Sequence, residues 1–423
     1  MSPGALLYRL ATRGLAPFLP VLLHHRIRTG KEDASRRNER FARHLASRPE
    51  GRLVWMHGAS VGESQLLIGL AELMAERRKG LSFLFTSQTQ TSAQLVSSRA
   101  PVGALHQMAP IDTPGAAKRF VGHWRPDLAI FAEGEIWPNL IAELSRTNRP
   151  LALVNARMTE RSRKGWAKWP GFSKRLFGAF DLILPADKET GQALTELSGK
   201  PVADVSNLKR GLPPPPVDRQ EQEALEHGFL AGRACLVAAS THPGEEALFL
   251  DAASHLNDEV ALIIAPRHPE RGPEIAAELS RRGLEFARRS AGDRAERDHD
   301  ALLADTIGEM GLWYRLSDLV FLGGASVEGI GGHNPIEPLQ LERAVITGPH
   351  GFNFQSLFRE LSDTGLLNVV DGEVALSKAF IHGLKGETPI DGTALKAFLA
   401  KSEEPLRNAS ESLLKLLDTG RAR

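Results

Sequence analysis

One cysteine in 423 residues, Cys235, is too few for an intramolecular disulfide or a thiolate metal cluster. It stands in the apolar run CLVAAS (235–240) and reads as a small hydrophobe of a buried strand, and the scarcity of thiols fits a reducing cytosolic setting. Neither sign of charge is in surplus. With 52 Lys and Arg against 51 Asp and Glu, the formal net charge is +1, so the chain as a whole is not built to grip nucleic acid and no nucleic-acid partner is expected. A long unbroken apolar run is also missing. The stretch ALLYRLATRGLAPFLPVLL (5–23) is interrupted by Arg9, Arg13, Pro17 and Pro20, short of the roughly 20 consecutive apolar residues of a plain spanning helix, and it carries no small-residue cleavage site. Two readings of it stand side by side: a helix lying on or shallowly anchored in a membrane, and an ordinary packed helix. The arginine-rich run behind it (24–48) is either a solvated face or a contact for anionic head groups.

The familiar nucleotide and metal signatures are absent. Gly324 and Gly329 have the spacing that opens a Walker A loop, but Ile330 and Gly331 follow where Lys and Ser or Thr are needed. No G-x-G-x-x-G follows a strand, which leaves a nicotinamide dehydrogenase a minor option. HExxH is missing, and His242-x-x-Glu245 alone is too little for a metal, so no metal site is expected.

What is present is enough apolar residue, 42% of the chain, for two cores. Short apolar runs alternate with helix-sized stretches: LVWMHGA (53–59), LSFLFTS (81–87), LAIFAEG (128–134), LALVNA (151–156) and LILPA (182–186), then CLVAAS, VALIIAP (260–266), LVFLGG (319–324) and AVITGP (344–349). This pattern predicts α/β architecture with parallel sheets buried on both faces. The run LPPPPVDRQ (212–220) predicts a stiff linker, so the expected division is an N-terminal segment 1–30, a Rossmann-like domain 31–211, the linker, and a second Rossmann-like domain 221–423.

In open parallel sheets ligands bind beyond the carboxyl ends of the strands. The residues that follow these strands are HGASVGES (57–64), TSQTQTS (86–92), EGEIWPN (133–139), NARMTERS (155–162), STHPGEE (240–246), PRHPER (266–271), GGASVEGIGGHNPIEP (323–338) and TGPHGFNF (347–354). Polar groups gather there in both halves, which points to two sheets facing one another across a cleft. In HNPIEP, Asn334, Pro335 and Glu337 have the spacing of a helix cap, while the preceding glycines and a helix N-terminus also favour a phosphate. Ser60-x-x-Glu63 is a second capping box, and Glu63 is equally placed to take a proton from a hydroxyl. Ser240, Thr241 and His242 are candidate phosphate or sugar contacts, and Arg267, beside His268, suits a phosphate or a carboxylate.

The ordered motifs HGASVGE, FTSQTQTSA, EGEIWPN, LVNARMTERS, NLK, STHPGEE, PRHPER, DTIGEMGLWY and GGHNPIEP resemble the 3-deoxy-D-manno-octulosonic acid (Kdo) transferases of lipopolysaccharide assembly, over residues from about 30 to about 355. The chain departs from that family's pattern at Gly58, Gly134 and Ser206, and in the RGLPPPP that follows Lys209. The resemblance implies a GT-B fold, CMP-Kdo as donor substrate, a lipid A precursor as acceptor, inversion at the anomeric carbon, no cofactor or metal, and a place on the cytoplasmic face of the inner membrane, held through the N-terminus. It implies Glu63 as general base and Ser60, Gly62, Glu133 and Glu135 on the acceptor side. Donor contacts are then expected from Lys209, Ser240, Thr241, His242, Arg267, His268, Gly331, Gly332, His333, Asn334 and Glu337. The basic, tryptophan-bearing run RSRKGWAKWPGFSKR (161–175) suits a second part of a membrane face. Two other readings are a GT-B enzyme that uses or epimerises another nucleotide sugar, and a non-catalytic, membrane-peripheral nucleotide-sugar sensor.

Overall fold

The computed structural model describes residues 2–29, 32–256 and 259–420; the expected boundary between residues 30 and 31 lies outside them. The chain divides into two compact units. Residues up to Leu212, joined by those from Lys401 onward, form the first, and Pro213–Ala400 form the second.

The first unit is built on six parallel strands: β1 Arg52–His57, β2 Leu81–Ser87, β3 Leu105–Met108, β4 Leu128–Ala132, β5 Leu151–Ala156 and β6 Leu182–Pro185. Their order is β3-β2-β1-β4-β5-β6, with the strand order reversing between β1 and β4. Strands β4 and β5 are buried at every residue, as sheets with helices on both faces require. One face packs Trp55, Phe120, Trp124, Phe131 and Phe177 together, and the other packs Met56, Leu66, Leu70 and Phe85. Helix starts follow local chemistry: Ser60 caps Val61–Arg77, Thr113 caps Pro114–Trp124 with proline in its first turn, and proline also opens Pro138–Arg146.

The N-terminal stretch forms a helix over Pro3–Leu15, a 3-10 turn at Ala16–Phe18 and a helix over Leu19–Arg28. By length and composition Pro3–Arg28 is apolar enough to cross a membrane. One face of it is docked. Tyr8 donates from its hydroxyl to Asp112 Oδ2 at 2.9 Å, Asn139 Nδ2 donates to Thr12 Oγ1 at 3.1 Å, and the Tyr8 and Phe172 rings lie 6.2 Å apart. The opposite face leaves Leu6, Leu7, Leu10, Leu15, Phe18, Val21 and Leu22 exposed, each between 46% and 72%. The two sequence readings are therefore both partly met: the stretch packs on its own unit and still presents bare apolar side chains.

The second unit has seven strands: β7 Ala234–Thr241, β8 Val260–Pro266, β9 Phe286–Arg288, β10 Ala301–Leu303, β11 Leu319–Leu322, β12 Ala344–Thr347 and β13 Asn368–Val369. The order is β13-β12-β11-β7-β8-β10-β9, all parallel. Cys235 is fully buried in β7, where burial pushes its thiol pKa up, so it is inert.

Two boundaries differ from expectation. The proline run is pinned rather than free: Arg315 donates to the Pro215 carbonyl at 2.7 Å, Gly311 has no room for a Cβ beside the Pro215 and Pro216 carbonyls, and Asp218 already caps the helix Arg219–Leu225. The chain's end also does not belong wholly to the second unit. In the final helix, Gly392–Thr419, Leu395 and Phe398 sit in the second unit's core, whereas Leu406, Ala409, Leu413 and Leu417 fill the core that contains Leu66 and Leu70. Apolar burial decides the assignment, and composition alone gives no sign of it.

Candidate functional site

In the first unit the expected acceptor-side residues collect at the carboxyl ends of β1, β4 and β5. Glu63 is buried in the first turn of the Val61–Arg77 helix, where Ala59 N–H donates to its Oε2 at 2.7 Å and the Ser60 hydroxyl donates to its Oε1 at 2.8 Å. Ser60 Oγ accepts from Glu63 N–H at 3.3 Å, which completes a reciprocal cap. Burial pushes the Glu63 pKa up; the Ala59 and Ser60 donors oppose this, and the Glu135 and Glu133 carboxylates add to it. The cap leaves room for a proton-accepting role, because each carboxylate oxygen holds one donor and keeps a further lone pair.

Glu133 and Glu135 take different partners. Lys209 Nζ lies 2.6 Å from Glu133 Oε1, and Asn155 Nδ2 donates to the same oxygen at 3.3 Å. Lys209, expected among the donor contacts, thus belongs to the first unit and neutralises an acceptor-side carboxylate. A Cβ at Gly62 would lie 3.3 Å from Lys209 Nζ, so the bare glycine leaves room for that ammonium. Glu135 Oε2 accepts from Trp137 Nε1 at 2.8 Å and from Gln88 Nε2 at 3.3 Å, and lies 3.3 Å from the buried His57 Nε2. Burial acts to raise the Glu135 pKa, but His57, Trp137 and Gln88 outweigh it and hold the carboxyl below its ordinary range. Two carboxyls a few residues apart in space are thereby tuned in opposite senses, Glu63 up and Glu135 down, the kind of separation that assigns different roles in acid–base work.

His57, Trp137 and Asn155 are missed by the sequence reading. His57 ends the apolar run of β1 and Asn155 lies at the end of β5, so both are hidden inside strand patterns. His57 Nδ1 shares a 2.8 Å bond with Thr86 Oγ1, and Asn155 Oδ1 accepts from Leu208 N–H at 3.0 Å, which ties the Asn207–Lys209 segment to the strand end. Glu133 and Asn155 both have positive φ, 52° and 49°, a conformation that costs energy outside glycine and gathers at functional sites.

In the second unit the expected donor residues also come together. Ser240, φ 56°, is the extra residue of a bulge between Ala239 and Thr241 that re-aims the end of β7. Thr241 is fully buried and its hydroxyl donates to Glu246 Oε1 at 2.7 Å, so it braces the site through the Glu246–Arg271 pair rather than presenting itself. His242 and His333 have stacked rings with their Nε2 atoms 2.9 Å apart, and His268 packs edge-on to His242. Burial, with the neighbouring His242, Arg267 and His268, lowers the His333 pKa to about 4; burial, His268 and Arg267 also lower that of His242. Both rings are neutral at neutral pH, one donating and the other accepting in their shared bond.

The glycine loop is organised by an internal anion. Glu245, wholly buried, accepts from Gly324 N–H at 2.7 Å and Ser326 N–H at 3.0 Å, and its Oε2 also accepts from His242 N–H at 3.0 Å. These amides are thus not free for a phosphate. Gly324, φ 83°, lets the His333 ring lie against the main chain, since a Cβ there would fall 2.8 Å from that ring. The expected Asn334–Glu337 cap does not form. The helix is only Ile336–Gln340, Asn334 Oδ1 accepts from Ile336 N–H at 3.2 Å, and Glu337 makes no hydrogen bond among the described residues. A helix this short supplies little dipole, and the Gly332 N–H is already given to the Gly324 carbonyl at 2.7 Å, so an anion would rely on Arg267 and on the amides of His333 and Asn334. Burial raises the Glu337 pKa, and Arg267 opposes it. Arg267 is exposed and unpaired among the described residues, whereas His268 lies 3.4 Å from Glu270. No group of three metal-ligating side chains occurs among the described residues.

A family model described as 3-deoxy-D-manno-octulosonic-acid transferase (kdotransferase) matches residues 35–211. A 3-deoxy-D-manno-octulosonic acid transferase of Rickettsia bellii is 34% identical over 347 residues, 81% of this chain and 82% of that protein. Its counterpart from Bordetella pertussis is 34% identical over 395 residues, 89% and 90% of the two chains. Among solved structures, the UDP-bound HepE of Anabaena aligns with a TM-score of 0.54 at 11% identity, covering 87% of this chain and all of that one. A glycosyltransferase of Rickettsia africae gives 0.51 at 12%, covering 88% and 98%. Identities this low speak for the fold alone, and the fold is GT-B, with two Rossmann-like parallel-sheet units. Relatives one-third identical along more than four-fifths of the chain place it in the 3-deoxy-D-manno-octulosonic acid (Kdo) transferase family, glycosyltransferases of lipopolysaccharide synthesis.

Proposed function

We propose that the chain transfers Kdo from CMP-Kdo to a hydroxyl of a lipid A precursor, with inversion at the anomeric carbon, at the cytoplasmic face of the inner membrane. The observation that carries this reading is Glu63, a buried carboxyl with its pKa pushed up and both oxygens oriented by Ala59 and Ser60. The acceptor hydroxyl gives its proton to the Glu63 carboxylate while its oxygen attacks the anomeric carbon of Kdo. The bond from that carbon to the CMP phosphate oxygen breaks on the opposite side, and its electron pair leaves on the phosphate. Arg267 and the main-chain amides of His333 and Asn334 stabilise that departing charge, and whichever of the neutral His242 and His333 rings accepts in their shared bond can donate to it through Nδ1. Glu337, left without a bonded partner, suits sugar or ribose hydroxyls. Lys209 holds Glu133 in place. No metal or cofactor takes part under this reading, and CMP-Kdo is a substrate.

General-base assistance is worth about 10²–10⁴-fold in rate. Glu63→Gln keeps the acceptor oxygen of the cap and removes the basic one, so transfer to a tetra-acylated, bisphosphorylated disaccharide should fall by about that factor while CMP affinity, read by calorimetry, is retained. Near-normal turnover would remove Glu63 as the base. Transfer from UDP-sugars in place of CMP-Kdo would overturn the donor assignment.

A further inference from the structure

The most concentrated uncompensated charge of the first unit lies outside the cluster around Glu63. A hollow of about 740 Å³ opens between the N-terminal helices, the segment 34–43 and the start of the Pro114–Trp124 helix. Six cations line it, Arg9, Arg13, Arg37, Arg43, Lys118 and Arg119, and no carboxylate does. None of the six forms an ion pair among the described residues; Arg37 and Arg119 donate only to the carbonyls of Pro20 and Phe41. The nearest acids in sequence are engaged elsewhere, Glu32 with Arg26 and Arg40, Asp33 with Ser35, Glu39 with Arg36 and Asp112 with Tyr8 and Asn139. The first turn of the Pro114–Trp124 helix, with Gly115 on the wall, adds partial positive charge. Six like charges around one opening repel one another, and a multiply charged anion relieves that repulsion.

The wall also says where such an anion comes from. Ala16, Leu19 and Pro20 of the hollow belong to the same helices whose other faces expose Leu15, Phe18, Val21 and Leu22. An anion seated among the arginines is then level with apolar side chains able to enter acyl chains, the geometry of a lipid head group rather than a free solute.

We propose that this hollow is a binding site for the phosphate monoester of a membrane lipid, distinct from the carboxylate cluster around Glu63. Its dianionic charge and three terminal oxygens match a ring of guanidinium and ammonium donors better than a singly charged diester does. The proposal does not depend on which sugar the enzyme transfers.

The test uses the full chain and sedimentation with phosphatidylcholine vesicles carrying a minority of either phosphatidic acid or phosphatidylglycerol. The unmutated chain should prefer phosphatidic acid. Arg43→Gln with Lys118→Gln, two positions with no hydrogen-bonded partner to lose, should weaken that binding roughly thirtyfold, from about 1 kcal/mol per cation. Arg43→Lys with Lys118→Arg should retain it, as should Arg359→Gln with Lys378→Gln, which remove the same charge from the second unit. Equal binding of the unmutated chain to both vesicle types, or equal loss in the control pair, would reduce the hollow to diffuse attraction and overturn the site. Competition by millimolar glycerol phosphate that abolishes vesicle binding would overturn the lipid source.

Discussion

The proposed role of Glu63 and its burial pull its protonation in opposite directions. A general base at this position must be ionised, and burial resists ionisation, so under the proposal the acid limb of the transfer rate should lie above the ordinary glutamate pKa. The Ser60 hydroxyl is one of the two groups that favour the charged form. Ser60→Ala should therefore move that limb to still higher pH in a profile of kcat/KM, and should cost about 1 kcal/mol of stability through the lost cap. The sign for folding is the reverse of the usual carboxylate case: with the folded pKa raised above the unfolded one, the native chain binds more protons in that window, and stability falls as pH rises through it. Glu63→Gln should accordingly unfold at no lower temperature than the unmutated chain at pH 7. His333 runs the other way. Its pKa is depressed to about 4 against about 6.5 unfolded, so its contribution is complete above the unfolded value and lost as pH falls toward 4; its ring signals in NMR should stay neutral through pH 6.

At the level of elements, the strands that could be read in advance are those buried on both faces. β1, β2, β4, β5, β6, β7, β8, β11 and β12 each show an apolar run because few residues in them face water. β3 (LHQM), β9 (FAR), β10 (ALL) and β13 (NV) escape because they are short and lie at or next to sheet edges. The site was legible as motifs following strands, yet His57 and Asn155 were not, since a polar residue that closes an apolar run looks like its boundary. The Ser60–Glu63 and Asn334–Glu337 pairs show the other limit: a capping pattern in sequence does not tell whether the carboxylate will reach back, and only that of Glu63 does so. The N-terminal helices are the element whose exposed face most needs an environment. Replacing Leu10, Phe18 and Val21 by serine should leave the thermal midpoint within about 2 °C, because more than half of each residue is exposed, while vesicle association falls sharply. A large drop in thermal midpoint would show instead that they serve the fold.

For the whole molecule, the assignment of the chain's end matters most. Leu413 is fully buried in the first unit's core, so Leu413→Ala should destabilise that unit by about 2–5 kcal/mol, seen as loss of protection in amide exchange over Val61–Arg77. If exchange there were unchanged, the pairing of that helix with the Leu66 and Leu70 core would be wrong. The return of the chain's end to the first unit is the feature least visible in the sequence, because Gly392–Thr419 is one continuous helix although its two ends serve different cores.

A ribosome delivers Leu406, Leu413 and Leu417 only after the whole of the second unit, Pro213–Ala400. The unit translated first must therefore wait, with one face of its sheet incompletely covered, until the second unit has been made. During that interval its N-terminal helices are already outside the exit tunnel, so contact with lipid can precede completion of the fold, and a nascent chain halted before residue 401 should be a substrate for chaperones rather than a half-working enzyme.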